Sequence, residues 1–295
     1  MKTYRLTAPA KINLALDVVG RREDGYHELR TIMHTLPLAD ELTVEHAGDR
    51  FLFTTNRRYI VPETDISLKA ARAFYAETGI EPGGLRVHTT KRIPVGAGLG
   101  GGSSDGAALL LHLNRYHGEP LDVERLRLLA ASVGADLPFF VMAGLSGRAQ
   151  YAALCEGIGE EISPLDCLPH CHILLAKPRA SLSTAAMFRF LDSERAGEHP
   201  DVDRLADALR RSDLRQAARC CFNSMERAAA VKCRDIPQIC GMMRTHGAIG
   251  ACMSGSGSAV FGVFEGRRAA GRCASAIMSA LPRTQIFRTE ILPAE

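Results

Sequence analysis

Residues 94–110, PVGAGLGGGSSDGAALL, place six glycines in eleven positions and then turn apolar without a break. Glycine loses more conformational freedom on folding than any other residue, so a segment this rich in it needs a reason. One reason is an anion. Without a Cβ in the way, backbone N–H groups can close on a phosphate. The first turn of a following helix adds unpaired N–H groups and the positive end of the helix dipole. The pattern predicts a phosphate-binding loop that opens a buried helix, AALLLHL, apolar nearly all round. Ser103 or Ser104 would cap that helix, donate to a phosphate oxygen or share a cation. A loose loop with an ordinary capping serine is the plainer alternative.

Three loop types can be compared. A Walker A loop needs Lys-Ser/Thr after its last glycine, and here Gly102 is followed by Ser103, Ser104 and Asp105. A dinucleotide fingerprint matches formally at Gly96, Gly98 and Gly101. Its context is wrong, because the preceding VHTTKRIP is polar and carries Pro94, whereas a Rossmann first strand is continuously apolar. NAD(H) binding would test that reading and is expected to be absent. A glycine loop leading to serines at a helix start remains.

The rest of the chain supplies ordinary globular material. Of 295 residues 46% are apolar and 23% charged, and the net charge of +3 is too small for a dedicated nucleic-acid binder. Nothing in MKTYRLTAPAKINL predicts a signal peptide, and no apolar run is long enough to cross a membrane, so a cytoplasmic protein is expected. All nine cysteines lie between Cys155 and Cys273, odd in number and irregular in spacing, which fits reduced thiols. Cys167-Leu-Pro-His-Cys171-His172 holds metal-ligand types but no second ligand cluster. Its plainer reading is small side chains leading into a buried strand.

Alternation over residues 10–18 predicts a half-buried strand with Lys11, Asn13 and Asp17 on its polar side. The Asp24-Gly25 turn and HELRTIMHTL complete a hairpin, and DELTVEH and RFLFTT read as further strands. Thr64 or Asp65 caps a helix that Gly79 stops. LRVHTTKRI is a strand running into the glycine loop, and VERLRLLAASV is a helix ending at Gly134. In the second half, CHILLAKP is a strand and helices fill about 183–246. GAIGACM and SAVFGVF are strands joined by Ser254-Gly255-Ser256-Gly257, followed by a helix and a last strand. That order is β-α-β-β-α-β, the split unit of ferredoxin-like domains. A boundary falls near residue 165, giving 1–165 and 166–295.

PVGAGLGGGSSDGAA resembles the central motif of the GHMP kinase superfamily, which includes homoserine, mevalonate and galactose kinases. APAKINLAL at 8–16 and MSGSGSAVFGVF at 253–264 resemble its first and last motifs. DGYHEL, GLGGGSS, GADLPFF, KPRASLSTAAMF and FNSME are similar to the branch whose acceptor alcohol carries a cytidine diphosphate, in non-mevalonate isoprenoid precursor synthesis. Departures are small: Arg21 replaces a common lysine, and Gly106 stands where alanine is usual. The resemblance implies an α+β fold of two domains, ribosomal-protein-S5-like and then ferredoxin-like. It implies ATP as co-substrate, Mg²⁺ to bridge phosphate oxygens, and a small cytidyl diphosphate substrate. No nucleic-acid or membrane partner is implied, and a monomer or weak homodimer is expected.

The same resemblance assigns roles. Lys11 and Asp136 would be catalytic, Asp136 taking the proton of the substrate hydroxyl and Lys11 attracting the γ-phosphate. ATP would lie on Pro94, Val95, Gly96, Ala97, Gly98, Leu99, Gly100, Gly101, Gly102, Ser103 and Ser104. Asn13, Tyr26, His27, Lys91, Thr184 and Phe188 would bind substrate, with Tyr26, His27 and Phe188 about the cytosine. For Lys91 a charge near ATP is the alternative. Gly255, Ser256 and Gly257 would close over the phosphates. Unaided, the residues also allow Asp136 as a helix cap, Lys11 on a solvated strand face and Ser254–Gly257 as a hairpin turn. The sequence shows no carboxylate cluster dedicated to a metal, so its ligands stay unknown. A different GHMP kinase and a non-catalytic nucleotide sensor are the competing readings.

Overall fold

The structure, a computed structural model, describes residues 2–23, 25–57, 65–193 and 198–293. Two long strands open it, β1 (Thr3–Arg21) and β2 (His27–His46). In their turn Gly25 has φ +87, Gly25 N donates to Arg22 O and Arg22 N to Tyr26 O. Asp24 lies outside the described residues. β2 runs unbroken through DELTVEH, correcting the reading of a separate strand. Asp40 can sit inside it because its carboxylate accepts from the backbone N–H groups of Arg92 and Ile93. β1 is also not half-buried. Ala10 to Asp17 are buried throughout, polar positions included.

The chain forms two compact units, Met1–Ala10, Leu38–Val95 and Gly100–Ala149 in the first, Lys11–Pro37, Gly96–Leu99 and Gln150–Glu295 in the second. They interleave along the sequence because β1 and β2 are each long enough to serve both.

The first unit adds β3 (Phe51–Thr55), α1 (Ile66–Thr78), β4 (Leu85–Thr90), α2 (Gly101–Tyr116), α3 (Val123–Val133) and α4 (Leu137–Leu145). β4 pairs antiparallel with β2 at 41–46 and parallel with β3. Asp65 is the cap of α1, accepting from Ser67 N at 2.7 Å, and Gly79 ends it at φ 67. Thr64, the other candidate, lies outside the described residues. The core gathers Leu42, Val44, Phe74, Leu85, Val87, Leu109, Leu110, Leu113, Leu126 and Phe139, all 2% exposed or less. Each such large side chain contributes roughly 1.5–3 kcal/mol by leaving water. The sequence reading assigned no element to α4, whose apolar residues show no period to mark a helix.

The second unit continues with β5 (Ala152–Gly157) and β6 (Glu161–Leu165), a hairpin that pairs with β2 at 29–34. Then come β7 (Cys171–Lys177), α5 (Thr184–Ser193), α6 (Val202–Arg210), α7 (Leu214–Arg219) and β8 (Phe222–Asn223). After these follow α8 (Glu226–Lys232), α9 (Asp235–Thr245), β9 (Gly250–Met253), β10 (Val260–Phe264), α10 (Arg267–Ala280) and β11 (Gln285–Ile291). β8 pairs parallel with Ala15–Leu16 of β1. β7, β9, β10 and β11 form an antiparallel sheet of order β11-β7-β10-β9, the spatial order 4-1-3-2 of a ferredoxin-like unit. Leu174, Ala176, Met243, Phe264, Cys273 and Ile277 build its core with α9 and α10. All nine cysteines are thiols. Most are core side chains, and burial pushes the Cys171 thiol up to about 12.

Candidate functional site

Within the second unit three distant segments meet at Gly98. Leu99 O accepts from Lys11 N at 3.0 Å, and Ala97 O from Ala259 N at 3.0 Å. Gly98 O accepts from Ser254 Oγ at 2.9 Å, and that hydroxyl in turn accepts from Asn13 N at 3.2 Å. Gly98 must be glycine: φ is +75, and a Cβ would lie 2.0 Å from Ser254 O. Gly255 is held similarly close, its notional Cβ 3.1 Å from Gly98 O and 3.3 Å from Asn13 Oδ1. So the Ser254–Gly257 turn is not an isolated hairpin turn but one wall of the glycine loop.

Lys11 is 3% exposed, which the solvated-face reading does not allow. Its Nζ donates to Asn13 Oδ1 at 2.6 Å. Asn13 Nδ2 donates to Thr31 Oγ1, which donates to Ala15 O at 2.6 Å. Both amide atoms of Asn13 are thereby fixed, and the ammonium is aimed by them. Asn223 does the same for the last motif. Its Nδ2 donates to Met253 O and Gly255 O, both at 2.8 Å, and its Oδ1 accepts from Met225 N. Sequence reasoning read FNSME only as a family mark. The signal in it was an asparagine with three bonding positions inside an apolar stretch.

A second cluster of the same unit surrounds His27. Its ring stacks on Phe188 with centroids 4.4 Å apart and planes 14° from parallel, and Nε2 meets Asp192 Oδ1 at 2.7 Å. The hydrogen bond from His27 holds the Asp192 carboxyl below its ordinary range. Tyr26 beside it is 61% exposed. A cavity of about 260 Å³ adjoins, lined by Val18, Gly20, Arg21, His27, Asp192 and Arg227 among others. Thr184 Oγ1 and Ser256 Oγ lie 2.8 Å apart, joining the start of α5 to the glycine turn. Lys177 Nζ donates to Pro178 O and Ala180 O and so folds the segment leading to Thr184.

In the first unit, α2 begins at Gly101 with Gly100 as its cap, φ 70, and no side-chain capping bond. This corrects the expectation that Ser103 or Ser104 caps the helix. They stand inside the first turn, because the left-handed glycine already turns the chain. The N–H groups of Gly101, Gly102 and Ser103 have no partner inside the helix. Ser104 is 1% exposed and its Oγ has no hydrogen-bond partner among the described residues.

Lys91 lies inside the first unit. It is 6% exposed, and its Nζ lies between the carboxylates of Asp105, at 2.5 Å, and Asp40. Burial works against its charge, but the two acids outweigh it and the Lys91 pKa is raised. Asp40 takes two backbone N–H groups as well. Among the described residues Asp105 pairs only with Lys91 and its Oδ1 has no hydrogen-bond partner, and burial raises its pKa despite the lysine. Lys91 thus ties the strand end before the loop to the helix after it. Asp136 is half-buried at the cap position of α4 and makes no capping bond to it. Lys11 and Asp136 belong to different units.

The pattern of the GHMP kinases N terminal domain matches residues 65–144, and that of the GHMP kinases C terminal matches 205–283. The 4-diphosphocytidyl-2-C-methyl-D-erythritol kinase of Caldicellulosiruptor saccharolyticus is 36% identical over 288 residues, 97% of this chain and 94% of its own. That of Alkaliphilus metalliredigens is 38% identical over 270 residues, 90% of this chain and 89% of its own. A crystal structure of 4-(cytidine 5'-diphospho)-2C-methyl-D-erythritol kinase superposes with TM-score 0.79 at 36% identity, covering 97% of this chain and 98% of that one. Homoserine kinase from Cytophaga hutchinsonii shares the fold, TM-score 0.76 at 18% identity over 100% of this chain and 96% of its own. With family patterns in both halves and relatives more than a third identical along nearly its whole length, the chain belongs to the GHMP kinases.

Proposed function

We propose that this chain is an ATP-dependent kinase that phosphorylates the 2-hydroxyl of 4-diphosphocytidyl-2-C-methyl-D-erythritol, giving the 2-phosphate and ADP. The activity belongs to isoprenoid precursor synthesis by the non-mevalonate route. The observation that carries the kinase reading is the junction at Gly98, where Lys11, Asn13 and Ser254–Gly255 are bonded onto one glycine loop. The relatives named above support the choice of substrate, and so does the His27–Phe188 pair, an aromatic platform that a substrate without a nucleobase would not use.

The loop from Pro94 to Ser104 holds the phosphates of ATP through its backbone N–H groups, and Gly255, Ser256 and Gly257 close on them. The substrate oxygen attacks the γ-phosphorus, the bond to the β-bridging oxygen breaks, and the hydroxyl proton goes to Asp136. Lys11 offsets charge on the γ-phosphoryl oxygens. Asn13 and Thr184 orient the acceptor, and Tyr26, His27 and Phe188 hold the cytosine by stacking and edge hydrogen bonds. Mg²⁺ fits the oxygen donors present, since the unpartnered buried Ser104 Oγ is a hard ligand of the kind it takes. When bound, it would neutralise phosphate charge. Family domains of 1–165 and 166–295, a cytoplasmic location and a monomer or weak homodimer complete the proposal. No helix among the described residues is long and apolar enough to cross a membrane.

A coupled ADP assay with the cytidyl substrate, mevalonate and homoserine tests the substrate. Turnover with either of the last two and not the first would overturn it. Asp136→Asn should lower kcat by about 100- to 10,000-fold with ATP binding retained. Near-normal turnover would remove Asp136 from the proton-accepting role.

A further inference from the structure

The Cys167–His172 segment lacks a second ligand cluster in the sequence, but the fold supplies one. β11 pairs antiparallel with β7, and its register sets Glu290 directly opposite His172. His172 and Glu290 therefore project from one face of the sheet, and His170, just ahead of β7, reaches the same pair. His170 Nε2 and Glu290 Oε1 are 2.7 Å apart, across 120 positions of sequence. One ligand atom from each of the three lies within 4.8 Å of the others. The intervening Cys171 points to the other face and is fully buried, so it takes no part.

We propose that His170, His172 and Glu290 form a binding site for one borderline transition-metal dication of the Zn²⁺, Co²⁺ or Ni²⁺ class. Two imidazoles and one carboxylate are a three-ligand set that leaves coordination positions for water. Ligand atoms about 2.0–2.1 Å from a tetrahedral ion stand roughly 3.3 Å from one another. Closing from 4.8 Å requires only side-chain rotation. His170 and Glu290 have that freedom, being 50% and 45% exposed. A neighbouring cavity of about 290 Å³, lined by His172, Arg267, Ala270, Arg288, Thr289 and Glu290, gives room for the remaining ligands. Arg267 and Arg288 also decide which ions enter. Two guanidinium groups beside one carboxylate disfavour Mg²⁺ and Ca²⁺, which depend on oxygen charge, and leave ions that bond well to imidazole nitrogen. The bound ion would link the edge strand β11 to β7 and fasten the end of the ferredoxin-like sheet.

The test uses the full-length chain freed of metal with a chelator and titrated with Zn²⁺ by calorimetry. One saturable equivalent and a higher melting temperature are expected. Glu290→Gln and His172→Gln should each weaken binding by about tenfold or more, since loss of an outer-shell partner alone costs that much. Melting in chelator checks that both variants fold. Co²⁺ should give absorption without a thiolate-to-metal charge-transfer band. No saturable binding by the wild type, unchanged binding in both folded variants, or a thiolate band would each overturn the proposal.

Discussion

His34 shows how one buried side chain sets a pH dependence. Leu168 N donates to its Nε2 at 3.1 Å, and Nδ1 meets Thr35 O at 2.6 Å. A ring nitrogen that accepts from an amide carries no proton, so the ring is neutral with hydrogen on Nδ1. Burial pushes its pKa down to about 4. Between about pH 6.5 and 4 the unfolded chain binds a proton the native one refuses, so stability falls as pH falls. The full loss is on the order of 3 kcal/mol. Thermal melts from pH 7 to 4.5 should show a shallower acid decline for His34→Gln, with a remainder from His112, also pushed down to about 4. An unchanged decline would exonerate His34. Asp105 works in the opposite sense. Its raised native pKa means the folded chain keeps a proton that the unfolded chain loses, so its contribution worsens as pH rises from about 4. Asp105→Asn retains an acceptor for Lys91 and removes the group that must keep the proton. Its stability relative to wild type should therefore improve from pH 5 to pH 8, and a constant difference would contradict the assignment.

At the level of elements, the glycines of 94–106 divide into two kinds. Gly98 is required by close approach, and Gly98→Ala should abolish most turnover by pushing the loop off Ser254, readable in the ADP assay. Gly106 lies in α2, where alanine is worth about 0.5–1 kcal/mol more. Here an added methyl would meet Ile66 Cγ2 at 3.0 Å and Leu137 Cδ2 at 3.3 Å. Gly106→Ala alone should therefore be neutral or destabilising in denaturant melts. Elements with a clean period, α1, α3 and α10 among them, were legible in the sequence. α4 was not, because nine residues without a polar face show no period. The break read at Asp40 and the serine cap read for α2 failed for one reason. Each polar residue was assigned a local task, while Asp40 bonds to residues 52 and 53 positions away and Gly100 caps by backbone shape alone.

For the whole molecule, the family motifs carried more than any local pattern. They singled out Lys11, Asn13 and the 253–257 turn before coordinates joined them at Gly98. They could not show that Asn223 holds that turn or that Lys91 faces inward, since both depend on partners far along the chain. A ligand that binds only the folded state must stabilise it. Cytidine diphosphate at about 100 times its Kd should add roughly 2.7 kcal/mol and raise the melting temperature by several degrees. Phe188→Ala should weaken that binding by about 10- to 100-fold through lost stacking. An unaltered shift in the variant would move the base elsewhere.

The bond from Asn13 N to Ser254 Oγ spans 241 positions. At about 5–20 residues per second, a ribosome takes roughly 12–50 s to deliver the second partner after the first. Throughout that time the nascent chain carries a strand made for burial on both faces, with β2 beside it but the last of its partners still to be translated. Such a chain suits a chaperone's grip, and a message cut short before codon 254 yields a product with no partial activity, which proteases can clear.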